Sequence, residues 1–450
     1  MTNPTAVDVK AFINERPMSG AQWLLLILCF LMVAADGIDV AIMGFIAPPI
    51  IQDWGITRAS FGLVMSAAPI GLVLGALFAG PSSDRFGRKK VLITSVFLFG
   101  LFTLITAFTQ NASEMAFMRF LTGLGLGAAM PNATTLLSEY APEKNRSLLI
   151  TIMFTGFGVG SAAVGFVAAF LIPHYGWRSV LVFGGVLPLV LVPFLLAFLP
   201  ESARFMVVRG FSAERIAATL GRVCRARFAP GTTFYASEPP VATRKPIGVL
   251  FSKGYAMLTA SLWITYFMGL LVIYLITGWL PTLIKDAGLP ISTAANITAL
   301  FQTGGTIGCI LTGWAMDRMR PALIIAGAYF GGALCVIGVG MTGALSESLF
   351  IWVLLAGFFM NGAQTGLNAY APNCYPTVAR ATGVSWMQGM GRFGSIVGSA
   401  VGGVLVGMGW GFGAIVAALA VPAALAGLGI LASRIGAVTA PLAPAKVAAT

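Results

Sequence analysis

The sequence predicts an all-α membrane protein with twelve transmembrane helices in two six-helix halves, and three observations predict it. Hydrophobic residues make up 58% of the 450-residue chain and charged residues only 9%. A soluble domain uses about 25% charged residues to dress its surface, so most of this surface must face something other than water. The 55 glycines agree, because membrane helices pack closely through small residues. The second observation is that basic residues collect on alternate loops, and the third is that a charged loop motif recurs half a chain later.

Hydrophobic runs of about 20 residues are long enough to cross a bilayer. They cover 22–47, 57–80, 91–110, 115–138, 147–171, 179–199, 256–282, 293–315, 321–342, 348–370, 382–407 and 410–433. With a cytoplasmic N-terminus, only Arg58, Arg178 and Lys285 of the 27 Lys and Arg fall outside, and Arg119 and Arg392 lie within spans. The remainder are cytoplasmic, which orients both termini inward. The net charge of +12 is therefore a topology signal and not the footprint of a nucleic-acid binder. The first span lacks a small-residue cleavage site and is expected to be retained.

These runs divide the chain into an N-terminal half (1–200), a cytoplasmic linker (201–254), a C-terminal half (255–434) and a cytoplasmic tail (435–450). The linker is Arg-rich and carries Pro230, Pro239, Pro240 and Pro246. A surface amphipathic helix is expected over 202–228, with loop beyond it, and the Ala/Pro-rich tail is expected to be disordered. Cys29, Cys224, Cys309, Cys335 and Cys374 form no CxxC pair, so no metal or disulfide framework is expected and they read as small apolar residues.

The repeat links the halves. Gly80-Pro81-Ser82-Ser83-Asp84-Arg85-Phe86-Gly87-Arg88 follows the second span, and Gly313-Trp314-Ala315-Met316-Asp317-Arg318-Met319-Arg320 follows the eighth. Tyr140-Ala141-Pro142 with Arg146 is echoed by Tyr375-Pro376 with Arg380. An even number of spans per half keeps the copies parallel, which is a transporter architecture with its solute site near the midplane.

The segment 80–90 resembles the loop signature of the major facilitator superfamily, and the resemblance runs along essentially the whole chain. It includes Arg119-Phe120-Leu121-Thr122-Gly123 and Leu199-Pro200-Glu201-Ser202. Ser82-Ser83 departs from the apolar-small pair usual there. Asp36-Gly37-Ile38-Asp39, the glycine-rich run 123–132 and Arg380-Ala381-Thr382-Gly383-Val384-Ser385-Trp386 are similar to the aromatic acid:proton symporters. The resemblance implies the superfamily fold, proton-coupled uptake of a hydroxybenzoate-like acid by alternating access, and residence in a bacterial inner membrane.

Charged groups within a bilayer cost about 2.5–3.5 kcal/mol each on insertion scales. Asp36, Asp39, Arg119 and Arg392 stand within spans, and Glu139 sits at the cytoplasmic end of the fourth. Asp36 and Asp39 are three residues apart and share a helix face. Desolvation and mutual repulsion favour a proton on one of them, and which one titrates is open. The competing reading is a structural ion pair with Arg119. The lone His174 falls in an external loop, so histidine relays do not enter.

Arg392, flanked by Gly389, Gly391 and Gly394, is the expected anchor for a substrate carboxylate, since a guanidinium matches a carboxylate bidentately. An interhelical clamp is the alternative. Arg119 is the second candidate anchor; the resemblance places it in the proton pathway with Asp36, Asp39 and Glu139. The expected binding set is Arg392, Arg119, Asp39, Gln302, Asn361, Gln364, Tyr266 and Trp386. Asn361, Gln364 and Asn368 form one helical stripe that must face protein or a wet cavity. Gly80, Asp84, Arg85, Gly87, Arg88, Asp317, Arg318 and Arg380 are expected to work as gates, with the glycines admitting a neighbouring helix.

Proton:drug exporters of the superfamily share a Gly-Pro dipeptide in span five. The run 156–165 has the glycine spacing without that dipeptide, which favours uptake. A membrane sensor would not need duplicated gates. An enzyme is excluded by the lack of any nucleophile–base or metal-ligand cluster, and no phosphate-cradling loop points to ATP. The expected partners are a small aromatic carboxylate, protons and the lipid bilayer, with no cofactor, no nucleic acid and a functional monomer.

Overall fold

The computed structural model describes residues 6–229, 231–235, 248, 250–252, 255–342, 346–375 and 377–439, without the side chains at 80, 81, 84, 147, 377–381 and 434–439. A short strand β1 (Ala6–Asp8) and helix α1 (Val9–Asn14) precede six long helices. These are α2 (Gly20–Trp54), α3 (Arg58–Phe86), α4 (Arg88–Thr106), α5 (Ala112–Tyr140), α6 (Arg146–Tyr175) and α7 (Trp177–Phe198). The linker contributes α8 (Ala203–Val208), α9 (Ala213–Cys224) and β2 (Thr233–Tyr235). Then come α10 (Ala256–Asp286), α11 (Ile291–Arg318), α12 (Pro321–Thr342), α13 (Leu349–Tyr370), a 3-10 turn (Ala371–Cys374), α14 (Thr377–Gly407), α15 (Phe412–Ala418) and α16 (Ala420–Thr439).

Among the described residues, ten helical stretches are long and apolar enough to cross a membrane. The two long helices that fall short, α5 and α11, carry buried polar residues, Arg119 and Asn132 in one and Thr298 and Gln302 in the other. Large apolar side chains stand exposed along the long helices, among them Leu63, Phe78, Phe170, Leu334 and Ile351. Such a surface is stable against acyl chains and not against water. Proline is accommodated inside several of the long helices, including Pro48 and Pro49 in α2 and Pro188 and Pro193 in α7.

The chain resolves into two compact units. Unit 1 comprises Met1–Ile42, Ala67–Val164 and His174–Pro240, and unit 2 comprises Met43–Ser66, Gly165–Pro173 and Val241–Thr450. The terminal stretches of α2, α3 and α6 thus pack with the second-half helices, a division the hydropathy runs do not reveal.

In unit 1, α4 packs against both α5 and α7. The described part of the linker, up to Tyr235, packs on unit 1. Its helical stretch breaks at Gly210, and α9 buries Ile216, Leu220 and Val223 in the same apolar cluster as Leu136, Leu137, Tyr140 and Met206. The N-terminal segment holds it in place. β1 pairs in parallel with β2, Phe12 and Phe234 both pack against Phe228, and Lys10 pairs with Glu143 at 2.7 Å.

In unit 2, α11 packs on α13 and α10 on α14, while α12 contacts α13 and α16. Helix α16 continues to Thr439, past the expected start of the tail, and the tail from 440 lies outside the described residues. His174 ends α6 and is helical, not in a loop. All five cysteines are free thiols; Cys29 and Cys335 are buried and the other three partly so.

Candidate functional site

The carboxylate pair of α2 is where unit 1 spends its buried polarity. Asp39 is fully buried and accepts hydrogen bonds from both Nη atoms of Arg119, each at 2.8 Å. The Thr103 hydroxyl donates to the same carboxylate at 2.6 Å. Arg119 Nη2 also approaches the Asp39 carbonyl oxygen at 3.4 Å. Three helices, α2, α4 and α5, therefore converge on one bidentate ion pair held away from solvent. Low local polarity makes such charge-assisted bonds strong and makes their loss costly.

Asp36 lies one turn earlier and is 3% exposed. Gly37 sits between the two aspartates because α6 crosses there. A Cβ at this position would stand 2.1 Å from the Phe157 carbonyl oxygen, and Ser161 Oγ donates to the Gly37 carbonyl oxygen at 2.8 Å. The sequence pairs Arg119 with either aspartate; the structure pairs it with Asp39. Thr103 escaped sequence reasoning, since a threonine in an apolar run is ordinary until its partner is known.

Glu139 belongs to a different cluster. Its carboxylate accepts from the Ser202 hydroxyl and stands 3.9 Å from Arg88 Nε. Tyr140 donates to the Glu201 carbonyl oxygen. The Glu201 carboxylate accepts from the backbone N–H of Lys89 at 3.2 Å, at the N-terminus of α4 where a negative charge is favoured. Gly87 adopts φ +96°, and a Cβ there would lie 2.3 Å from Glu201 Oε2. That glycine leaves room for the Glu201 carboxylate and for the Phe205 ring of α8. Arg88 also donates to the Ser83 carbonyl oxygen at 3.2 Å and lies over the Phe205 ring. Arg85 is exposed and stacks on Phe86, while Arg318 stacks on Trp314 beside Asp317. Gly80 lies on α3; the side chains of Asp84 and Arg380 lie outside the described residues.

In unit 2 the α10–α14 crossing is a glycine seam. A Cβ at Gly391, Gly394 or Gly398 would meet the Tyr266 ring, the Phe267 carbonyl or the Leu271 carbonyl at 2.0–2.4 Å. Gly391 and Gly394 are used to seat α10, whereas Gly389 has open space beside it. Arg392 is consequently held against α10, with Nη1 3.4 Å from the Tyr274 hydroxyl. Gln302 donates to Thr277 Oγ1 at 3.1 Å. The amides of α13 each meet a protein neighbour, Gln364 buried and Asn361 and Asn368 partly exposed. Asn361 lies at the α11 crossing against Gly305, Gln364 accepts from the Tyr329 hydroxyl at 2.7 Å, and Asn368 accepts from Gln388 at 3.4 Å. Tyr266 is buried, whereas Trp386 is 42% exposed and stacked on Trp263.

Unit 2 also holds a polar latch. Arg58 at the start of α3 pairs with Asp286 at the end of α10 at 2.7 Å, and Lys285 donates to Gln52 at 3.0 Å. Beside it Gly62 packs on the Ala400 carbonyl and Gly403, and Trp279 donates to the Ser399 carbonyl at 2.8 Å. The signal was present in the charge distribution, since Arg58 and Lys285 are two of the three basic residues on their side.

Residues 28–356 match the Major Facilitator Superfamily. The chain is 56% identical over 427 residues to the gallate transporter of Pseudomonas putida, with 95% of each chain covered. It is 52% identical to the 4-hydroxybenzoate transporter PcaK of Pseudomonas aeruginosa, covering 94% of this chain and 95% of that one. Among solved structures, a D-xylose-proton symporter superposes with a TM-score of 0.69 at 17% identity, covering 90% of this chain and 96% of the other. At that identity the likeness concerns the fold.

Proposed function

Because the chain belongs to the Major Facilitator Superfamily, and its relatives include transporters of gallate and 4-hydroxybenzoate, we propose that it imports a hydroxylated aromatic carboxylate with protons by alternating access. The observation that carries the coupling is the buried Asp39–Arg119 pair. Both charges sit in a bilayer-spanning unit, where each is costly alone and tolerable together. A proton arriving on Asp39 replaces a bidentate ion pair by a weaker hydrogen bond between the still-charged Arg119 guanidinium and a neutral carboxyl, which loosens Arg119. Asp36, on the same face one turn away, is the second carboxyl of the pathway. No cofactor is required, since the proton gradient supplies the driving force.

Arg392 is the proposed anchor of the substrate carboxylate, held by the glycine seam with Tyr274 beside it. Tyr266, Gln302, Asn361 and Gln364 supply apolar and amide contacts, and Trp386 extends the aromatic surface. The cluster of Arg88, Glu139, Ser202 and Glu201 and the latch of Arg58 and Asp286 are proposed as gates. The charge distribution supports an inner-membrane location with both termini cytoplasmic, and one chain suffices for the cycle.

Whole-cell uptake of labelled 4-hydroxybenzoate tests this, with gallate and benzoate as competitors. Uptake that collapses with a protonophore and is competed by aromatic acids supports the proposal. Uptake indifferent to the protonophore would reject the coupling, and no uptake of any aromatic acid would reject the substrate class.

A further inference from the structure

Near the middle of α12, Tyr329 is fully buried and donates its hydroxyl to Gln364 Oε1 at 2.7 Å. Gly269 on α10 makes room for this pair. A Cβ there would stand 2.1 Å from Gln364 Oε1 and 2.6 Å from the Tyr329 hydroxyl oxygen. With Oε1 engaged by Tyr329, the N–H groups are the amide's unused donors. Gln364 Nε2 is buried and meets no acceptor among the described residues. A buried donor left unmade costs about 1–3 kcal/mol, so an acceptor that reaches it would be bound favourably.

The surroundings indicate what that acceptor belongs to. Tyr266 interacts electrostatically with Tyr329 and lies against Gly391, the neighbour of Arg392. Helices α10, α12, α13 and α14 thus link Gln364, Tyr329 and Tyr266 to the segment that carries Arg392 within one unit. A carboxylate is better served by the guanidinium of Arg392, which carries charge and a planar fork. The neutral amide N–H suits a neutral acceptor, and an aromatic acid has one in a ring hydroxyl.

We propose that Gln364 Nε2 donates to a ring hydroxyl of the transported acid, and that Tyr329 is the positioning residue that keeps this donor turned toward it. The inference rests on the aromatic-carboxylate function proposed above and adds the origin of its preference for hydroxylated rings. A site built to hydrogen-bond a hydroxyl disfavours the analogue that lacks one, because the buried donor then stays unpaired. Tyr329 acts without touching substrate. Removing its hydroxyl lets the amide rotate and present its oxygen instead.

The test is the ratio of affinities for 4-hydroxybenzoate over benzoate, measured with the full-length purified protein and by competition for uptake. Tyr329→Phe should lower that ratio roughly 3- to 10-fold, the effect of one hydrogen bond. Gln364→Met, similar in volume and without the donor, should lower it as far. If Tyr329→Phe does not fold, Gln364→Met carries the measurement. An unchanged ratio in the folded variants, even with both affinities reduced, would overturn the inference and leave the function intact. A parent protein that binds neither acid would instead overturn the substrate class, and the inference with it.

Discussion

Replacing Asp39 by Asn separates a coupling role for the buried pair from a purely structural one. In the parent, Arg119 is 2% exposed and both Nη atoms bond one carboxylate that is itself 0% exposed. Asparagine keeps one carbonyl oxygen for one guanidinium N–H and removes the negative charge. Arg119 is then a buried cation without its anion. Breaking a buried pair from one side costs about 3–5 kcal/mol, and the retained contact places this variant near the lower end, about 3 kcal/mol. The double variant Asp39→Asn/Arg119→Gln removes both charges and should recover most of that loss, since removing both partners of a buried pair is far milder than removing one. Denaturation in detergent reads the stabilities, and uptake under an imposed pH gradient reads the coupling. The expected result is that neither variant accumulates substrate although the double variant is nearly as stable as the parent. Recovery of accumulation along with stability would show that the pair only braces the fold, and an undiminished Asp39→Asn would refute the argument altogether.

Arg392→Lys should weaken carboxylate binding by about tenfold, because an ammonium cannot replace a bidentate fork; competition by unlabelled acid measures it, and equal affinity would move the anchor elsewhere. Gly87→Ala meets both a positive φ and the Glu201 carboxylate, so it should cost about 1–3 kcal/mol, visible as earlier thermal unfolding. The Arg58–Asp286 pair is 40% and 36% exposed, so its coupling should be no more than about 1 kcal/mol. Asp286→Arg should disturb uptake, and adding Arg58→Asp should restore it if the two act as a latch. The hydrogen bond and charge of Lys10 hold the Glu143 carboxyl below the usual glutamate range. A depressed folded value means that the tie is present at neutral pH and lost as pH falls through that value. Hydrogen exchange of α1 should therefore rise on acidification and, because the pair is exposed, with salt; protection independent of both would show that Phe12 and its apolar neighbours hold the segment alone.

Much of the fold was legible because a bilayer imposes span length and apolar composition directly on the sequence. The long helices needed no knowledge of contacts. Charged residues within spans were equally legible, since each is costly, and Asp39 and Arg119 do meet. What stayed hidden were choices between equivalent partners. Nothing in the spacing of Asp36 and Asp39 says which faces α5, and that is decided by the close α2–α6 crossing at Gly37. The glycines beside Arg392 look like space for a ligand, yet Gly391 and Gly394 seat α10. Tyr329 reads as one more aromatic in an apolar run until Gln364 is placed beside it. The linker's burial was obscured for a related reason. Its partners are the N-terminal segment and the ends of α5 and α7, distant in sequence and recognisable only once packed.

The central claim is that this chain couples proton flow to the movement of an aromatic carboxylate. Purified protein in proteoliposomes, acidic outside and loaded with no substrate, tests it most directly. The account predicts that labelled 4-hydroxybenzoate accumulates above its external concentration, that accumulation vanishes when the pH gradient is dissipated, and that substrate added without a gradient draws protons inward. Equilibration without accumulation, or accumulation that ignores the gradient, would contradict it.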